Sequence, residues 1–468
     1  MKRTLKLLTA ALTLTAALTV SASAANFESV AQELSAIGMF KGTGSSFELD
    51  RVPTRAEAAI MLVRLYGAEE EASQGYAEGK ITHPFTDVPD YAAPHVAWLY
   101  SEGLTKGMSA DTFGSTDACS DQNYATFLLR ALGYADGEDF EYADALAFAQ
   151  EKGFYSPLMF AGEFLRDDLA AMTYQALAAD TAKGDTYLLA QLIKDGAVDE
   201  DAALPMVSKM EIYREMCAAD GGLQSEGLDM DLLMSLDMTA TINGETASSY
   251  IYAAGVVQSI LDGSDVELAY MMSTIADGAM MDTGIWMKDG WVYQYASDGA
   301  ITQTIKYQTK DEMAIYEQYG MGDLINASGT TAIDVSNFAS MKSVTREKDG
   351  SDTVYTVVIR EGMGGAVEGV MGLVDQLLSE TDASMGMNVG EVTMFYVMDR
   401  KGVLSEMGLL MPYSITMTFS DETGTPVSAN ASCTMRMTMT INATGSDVKI
   451  EFPNPDDFVE VVIDETAA

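Results

Sequence analysis

The chain has 468 residues and 48% of them are hydrophobic, which is enough for two or three domains with apolar cores of their own. Its 70 acidic and 27 basic residues give a formal charge of −43, which argues against nucleic acid and anionic membranes as partners. We interpret this acidity as a means of staying soluble outside a cell. Three widely spaced cysteines predict neither a disulfide framework nor a cysteine metal site, although a single bridge stays open.

Residues 1–24 have the pattern of a secretory signal peptide. A basic start is followed by an apolar run from Leu7 to Val20 and then by the small residues Ala22-Ser23-Ala24. The apolar run of about 14 residues is short for a membrane span, and no later run is long enough for one. We therefore expect a secreted chain with no transmembrane segment.

The stretch from Phe85 to Asp136 predicts a helix, a loop and a second helix. The first helix has apolar positions at helical spacing and is closed by Gly103, and the second begins after Ser120-Asp121 and ends at Gly133. The predicted inward positions are Ala92, Val96, Leu99 and Tyr100 in the first helix and Tyr124, Phe127, Leu128 and Ala131 in the second.

Both flanks repeat this pattern imperfectly. Helix-ending glycines at Gly38, Gly103 and Gly153 are separated by 65 and 50 residues. Second helices are predicted to start near Thr54, Ser120 and Leu165. The spacing predicts three helical repeats, at 25–68, 83–136 and 138–181, with an acidic linker from Glu69 to Gly79.

These residues resemble the S-layer homology domain of bacterial surface proteins. The resemblance covers roughly residues 26–180 and rests on an FxDV start at Phe85-Thr86-Asp87-Val88, an aromatic-Ala pair at Tyr91-Ala92, the helix-ending Gly103 and the TRAE helix start at Thr54-Arg55-Ala56-Glu57. In that family, grooves between repeats bind a pyruvylated secondary cell-wall polysaccharide. The resemblance therefore implies a helical wall-anchoring region and this polysaccharide as its partner.

The resemblance also implies which residues bind the polymer. They are Arg55, Glu57, Asp87, Tyr91, Lys106 and Arg166. A guanidinium just after a helix start suits an anion, because its planar fork matches a carboxylate and helix N–H groups favour negative charge. The alternative is that Arg55 and Glu57 only cap and flank a helix. The second repeat reads Ser120-Asp121-Gln122-Asn123 where TRAE is expected, so one of the three grooves lacks its arginine.

After a linker at 182–204, residues 205–468 predict a mostly antiparallel β domain with a few helices. Apolar and polar residues alternate from Cys433 to Ile441, and Asn-Gly or Asp-Gly pairs mark hairpins at 243, 289, 298 and 349. One helix is predicted to follow Pro205, and two more at Lys310–Tyr319 and Ala366–Leu378. By architecture alone, this region resembles the LolA/LppX-like half-barrel of exported lipid carriers.

Methionine is concentrated in the β region, which holds 26 of the 32 residues of this type. Met is usually a filler of irregular cores. The second interpretation is a pliable apolar cavity for a hydrophobic ligand. Its predicted lining is Met417, Met435, Met437 and Met439.

Signals for catalysis are sparse. There are two histidines, and no HExxH, GxSxG or phosphate-binding loop. We expect no enzyme, no cofactor and no metal. The sequence predicts a secreted protein anchored non-covalently to cell-wall polysaccharide. The alternatives are a wall-held carrier of a lipid or other hydrophobic ligand, and an extracellular glycan hydrolase, since a carboxylate pair is recognised by geometry.

Overall fold

The computed structural model describes residues 27–42, 46–157, 159–160, 162–219, 227–242, 245–262, 265–312, 335–360, 384–420 and 426–462. The chain divides into two compact units. Within the described residues, the helical unit lies between residues 27 and 214 and includes residues 335–341, and the β unit lies between residues 215 and 312 and between residues 342 and 462. A helical N-terminal region followed by a mostly antiparallel β region is thus confirmed.

The helices of the helical unit follow the predicted pattern of short segments separated by loops. Their bounds are α1 Glu28–Ala36, α2 Arg55–Leu65, α3 Glu69–Ala77, α4 Ala93–Ser101, α5 Asp121–Ala131, α6 Ala145–Glu151, α7 Arg166–Ala178, α8 Leu188–Lys194 and α9 Glu200–Ala219, with 3-10 turns at Tyr142–Asp144 and Val335–Ser340. Positive φ angles at Gly38, Gly103 and Gly153 confirm the predicted helix ends.

Small and aromatic residues fill the core of this unit. Leu62, Val96, Leu128 and Tyr174 are fully or almost fully buried, as the helical spacing predicted for Val96 and Leu128. The ring of Phe338 stacks on Tyr174 with centroids 5.1 Å apart, so the 334–341 segment belongs to this core although it lies far away in sequence.

Some sequence expectations for this unit are wrong. The predicted linker from Glu69 to Gly79 contains α3, because three glutamates in its first turn favour a helix start and Ala72 is buried. The helix predicted to follow Pro205 begins earlier, with Glu200 and Asp201 in its first turn, and α8 lies within the connecting segment at 182–204. Tyr100, predicted to point inward, is 42% exposed and packs its edge against Phe85.

The β unit is a single sheet of thirteen strands within the described residues. The strands are β1 Gly227–Ile242, β2 Glu245–Asp262, β3 Asp265–Ala276, β4 Ala279–Lys288, β5 Trp291–Ser297, β6 Thr302–Gln308, β7 Met341–Asp349, β8 Asp352–Ile359, β9 Ser384–Val389, β10 Val392–Met398, β11 Leu404–Ser420, β12 Pro426–Thr444 and β13 Val459–Glu460. Their order is β13-β6-β5-β4-β3-β2-β1-β12-β11-β10-β8-β7, and β9 pairs with β11. All pairs with a defined register are antiparallel except β13 with β6.

The predicted period-two pattern is confirmed at the centre of this sheet. Leu236, Met435 and Met411 lie side by side on β1, β12 and β11, and all three are buried. Arg436, the next residue along β12, is exposed and pairs with Asp237 at 2.5 Å. One face of the central strands is therefore apolar and buried, and the other is polar.

Tight turns connect the strands where Asp-Gly pairs predicted them. Asp289-Gly290 joins β4 to β5 with both φ angles positive (53° and 75°), as a two-residue hairpin requires. An equivalent turn at Asp277-Gly278 joins β3 to β4 and was not predicted. The signal peptide at 1–24, most of the helix at Lys310–Tyr319 and the whole helix at Ala366–Leu378 lie outside the described residues.

Candidate functional site

A capping box fixes the start of α2. The hydroxyl of Thr54 accepts the backbone N–H of Glu57 at 3.3 Å, and the Glu57 carboxylate accepts the backbone N–H of Thr54 at 2.8 Å. These two hydrogen bonds satisfy free N–H groups of the first turn, which is why Thr-Arg-Ala-Glu starts a helix here. As a result, Arg55 is the first residue of the helix.

The Arg55 guanidinium rests against the loop at residues 113–117. Its Nε donates to the Phe113 carbonyl at 3.0 Å, and its central carbon lies 5.0 Å from the centre of the Phe113 ring. In the described part of the chain, its two terminal nitrogens make no hydrogen bond or ion pair. Burial lowers the pKa of Arg55 from its ordinary value, since no carboxylate pairs with it to offset the loss of water.

Arg55 lines a pocket of about 270 Å³. The lining residues are Arg55, Gly103, Leu104, Thr105, Lys106, Gly107, Asn123, Thr126, Phe127, Arg130, Asp136 and Tyr142. Arg130 forms an ion pair with Asp136 at 2.7 Å, whereas the Lys106 side chain is exposed. Three cations and one carboxylate line the pocket, so it suits an anion.

Neutral polar groups complete the pocket. The Tyr142 hydroxyl donates to the Asn123 side-chain oxygen at 2.9 Å, and the Gln122 amide donates to the Tyr142 carbonyl at 2.6 Å. The Tyr142 side chain is 45% exposed. An aromatic ring and an amide beside the cations are groups that contact sugars, so the pocket matches an anionic sugar better than a bare ion.

Asp87 does not line this pocket but holds the loop at residues 113–117, against which Arg55 rests. Its carboxylate accepts the backbone N–H groups of Phe113, Gly114 and Ser115 at 2.7, 2.7 and 3.2 Å. Desolvation raises the pKa of Asp87, but these three hydrogen bonds outweigh it, and the pKa lies below its ordinary value. The same loop accepts the N–H of Arg55 at the Asp117 carbonyl, at 2.9 Å.

Arg166, the first residue of α7, makes the same two hydrogen bonds with a different loop and also lies against an aromatic ring. Its Nε donates to the Phe47 carbonyl at 3.0 Å, its N–H donates to the Arg51 carbonyl at 2.9 Å, and its guanidinium lies 5.0 Å from the Phe40 ring centre. The two carbonyls are four residues apart, as are those of Phe113 and Asp117. Arg55 and Arg166 thus occupy matching positions in the helical unit.

The two arginines differ in their partners. Arg166 is 4% exposed, and its Nη1 donates to Oε1 of Glu57 at 2.9 Å. Glu57 also accepts two hydrogen bonds from Arg51, at 2.9 and 2.5 Å. Burial lowers the pKa of Arg166, although the charge of Glu57 opposes that change. In this structure, Arg166 and Glu57 bind each other.

Of the predicted polymer-binding residues, the structure brings Arg55 and Lys106 together in one pocket. Glu57 and Arg166 form their own ion pair, Asp87 acts through the 113–117 loop, and Tyr91 is 60% exposed and lies outside the pocket lining. Sequence reasoning missed Asn123, Arg130 and Tyr142 as pocket residues. Asn123 could have been found by aligning the two helix starts. It lies three residues after Ser120, as Glu57 lies three residues after Thr54.

The methionines of the predicted cavity lie on the buried face of the sheet. Met417, Met435 and Met439 are between 4% and 6% exposed, and Met437 is half-buried between Met234 and Leu409. The helix predicted to face them lies outside the described residues. The apolar cavity therefore stays a prediction.

Other candidate chemistry is limited. In the residues that the structure describes, no three His, Cys, Asp or Glu side chains are grouped as metal ligands would be. Cys119 and Cys433 are buried free thiols. His83 stacks between Tyr76 and Phe85, and no helix of the described ranges is long and apolar enough to cross a membrane.

Comparison with known proteins identifies the segment that contributes five of the twelve residues lining this pocket. Residues 84–118, which include Asp87 and the 113–117 loop, match the sequence profile of the S-layer homology domain. An S-layer homology domain is therefore present at these residues.

Three curated proteins are similar to this chain. A "Cell surface protein" of Thermoanaerobacter kivui is 32% identical over 258 residues, covering 52% of this chain and 31% of that protein. A "Middle cell wall protein" of Brevibacillus brevis and a "Surface layer protein" of Brevibacillus choshinensis are 31% and 32% identical over 113 residues, each covering 24% of this chain and 10% of the relative. The chain spans a third or less of these relatives' lengths.

Solved structures add little. The ywiB protein from Bacillus subtilis has a TM-score of 0.13 at 10% identity, covering 46% of this chain and 94% of that chain. A DUF1329 family protein from Desulfovibrio piger has a TM-score of 0.15 at 9% identity, covering 53% and 95%. Scores this low support no inference, so the LolA/LppX-like half-barrel stays a prediction.

Proposed function

We propose that this chain is a cell-surface protein held non-covalently to a cell-wall polysaccharide through its helical unit. The observation that carries the proposal is the Arg55 guanidinium, which lines a pocket and forms no ion pair with any carboxylate of the described residues. A half-buried cation without a counter-charge gains from an anionic ligand, because folding has already removed part of its water.

The ligand class follows from the groups around Arg55. Arginine and lysine favour a carboxylate or phosphate, and the Tyr142 ring with the Asn123 amide favours a sugar next to that charge. We therefore infer an acidic sugar of the wall polymer, of which a pyruvylated residue is the example given by S-layer homology domains. The polymer's repeating structure would let several chains bind along one strand.

We further propose that the helical unit consists of three S-layer homology repeats, at 25–68, 83–136 and 138–181. The matching contacts of Arg55 and Arg166 support this, because they recur at the same offsets in different segments. The similar surface proteins support an exported location, in which the predicted signal peptide is removed and the β unit is displayed outside. Binding rather than catalysis is the role we assign to the helical unit.

The strongly acidic chain does not oppose this binding at short range. At physiological salt the screening length is about 8 Å, so the cations of the pocket outweigh the distant negative charge at the site. Salt should still weaken the interaction, because part of the attraction is ionic.

Sedimentation tests the proposal. The chain is mixed with purified cell-wall sacculi before and after extraction of their secondary polysaccharide, and the bound fraction is measured at low and high salt. We expect binding to intact sacculi that falls with salt and is lost after extraction. Equal binding to extracted sacculi would reject the polysaccharide as the ligand.

A further inference from the structure

The matching sites at Arg55 and Arg166 carry different residues at the third position after the helix N-cap. Glu57 and Asn123 are each the third residue after an N-cap, and each donates its backbone N–H to that N-cap hydroxyl, Thr54 at 3.3 Å and Ser120 at 3.2 Å. Position for position, the neutral Asn123 beside Arg55 replaces the carboxylate that lies beside Arg166.

This exchange changes the charge of the whole site. The Glu57 carboxylate reaches the Arg166 guanidinium at 2.9 Å and gives it a negatively charged partner, which it shares with Arg51 and which an amide could not provide. Asn123 instead accepts the Tyr142 hydroxyl and leaves the terminal nitrogens of Arg55 facing the pocket.

The other cations near the two sites also differ in whether they are paired with a carboxylate. Lys41 and Lys106 each lie three residues after a helix-ending glycine, and Arg64 and Arg130 each lie ten residues after an N-cap. Lys41 and Arg64 both pair with Glu69, at 2.7 and 2.9 Å. At the Arg55 site, Arg130 pairs with Asp136, and the exposed Lys106 makes no ion pair with any described residue.

We propose that Glu57 is an internal counter-anion that closes the Arg166 site, so that of these two sites the one at Arg55 is open, and the residue at this helix position decides which site is open. The Glu57 carboxylate occupies the place that a ligand carboxylate takes at Arg55. This inference rests on the proposed function of the Arg55 pocket. It adds which of the two matching sites an anionic ligand can occupy.

Reciprocal substitutions test this assignment in the full chain. Glu57→Asn gives the Arg166 site the residue of the open site, and Asn123→Glu gives the Arg55 site the residue of the closed one. Asn123→Glu creates a Ser-x-x-Glu capping box, so we expect it to fold at least as well as the wild type. Glu57→Gln serves as a second opening variant, because it keeps an acceptor for the Thr54 N–H.

Sodium glucuronate, a sugar with one carboxylate, is the probe. NMR titration follows the side-chain Nε–H signals of Arg55 and Arg166, which report the two sites separately. In the wild type only the Arg55 signal should shift. Both signals should shift in Glu57→Asn and Glu57→Gln, and neither should shift in Asn123→Glu.

The outcomes separate the two proposals. If Arg55 responds in the wild type but Arg166 stays silent in both opening variants, Glu57 does not close the site and this inference is wrong. An unchanged Arg55 response in Asn123→Glu leads to the same conclusion, even where an opening variant fails to fold. If Arg55 is silent in the wild type while Arg166 responds after Glu57 is replaced, the Arg55 assignment fails and the role of Glu57 stands.

Discussion

The carboxylate of Asp87 accepts the backbone N–H of Phe113 at 2.7 Å, and the carbonyl of Phe113 in turn accepts the Nε of Arg55 at 3.0 Å. Asp87 therefore orients a pocket that it does not line. This relationship gives the FxDV start of the S-layer homology segment a physical role, which is to hold the loop on which the binding arginine rests.

Replacing Asp87 should weaken both the fold and wall binding. Asp87→Ala leaves three loop N–H groups without their acceptor, and at an exposed carboxylate we expect a loss of about 1–2 kcal/mol in the free energy of unfolding. Urea unfolding measures this, with Asp90→Ala as the control because Asp90 is exposed in the same segment. Equal unfolding free energies for the two variants would refute the role of Asp87.

The stability of the helical unit should depend on Asp167. Its carboxylate accepts the N–H of Phe27 at 2.9 and 3.1 Å, and burial raises its pKa to about 7. Between its ordinary pKa and about 7, the unfolded chain has lost a proton that the folded chain retains. Stability should therefore fall as pH rises through this window, by about 1.4 kcal/mol for each unit of raised pKa, and stay level above it.

Comparison with Asp167→Asn isolates this effect, because the pKa of Asp168 is also raised by burial, to about 6, and is common to both proteins. The variant should gain stability relative to the wild type from about pH 4 to pH 7 and then keep a constant advantage. Parallel pH profiles from chemical unfolding would show that Asp167 does not titrate in this way.

Gly107 should be required for the shape of the pocket. Its φ is +70°, and an added Cβ would lie 2.3 Å from the Phe85 ring and 2.8 Å from the Thr112 carbonyl. Gly103→Ala is a matched control, since Gly103 also has a positive φ but has open space around it. Both variants should lose about 1–2 kcal/mol for the backbone, and Gly107→Ala roughly 1–3 kcal/mol more for the clash. Thermal unfolding that ranks them equally would contradict the packing described.

The buried face of the sheet should be sensitive to loss of volume. Met435 is 5% exposed and lies between Leu236 and Met411, so Met435→Ala should cost about 2–5 kcal/mol. Met271 is 39% exposed, and Met271→Ala should cost much less. Chemical unfolding of the two variants measures the difference, and a Met435→Ala variant as stable as Met271→Ala would mean that this face is not packed.

Local signals predicted much of this fold. The Thr54-Arg55-Ala56-Glu57 cap and Gly103 set helix ends through contacts within a few residues, and Asp289-Gly290 set a hairpin in the same way. The expected linker from Glu69 to Gly79 was wrong because acidic and small residues suggested a linker, although glutamates in a first turn also favour a helix.

The site was harder to predict because its contacts are distant in sequence. Arg55 and Phe113 are in contact although they are 58 residues apart in the sequence, and Glu57 and Arg166 are 109 residues apart. The sequence alone predicted the same binding role for both arginines, since each is the first residue of its helix. The third-residue contrast between Glu57 and Asn123 distinguishes them, and its meaning depends on which segments pack together.

The most direct test of the account is the affinity of an Arg55→Gln variant for cell-wall sacculi, measured by sedimentation beside Arg400→Gln. Arg400 is exposed in the β unit, so the control removes the same charge away from the pocket. Loss of a charge-assisted contact worth about 1.5–3 kcal/mol should weaken binding roughly 10- to 150-fold in Arg55→Gln and leave Arg400→Gln unchanged. An Arg55→Gln variant with the wild-type melting temperature and wild-type affinity would contradict the central claim.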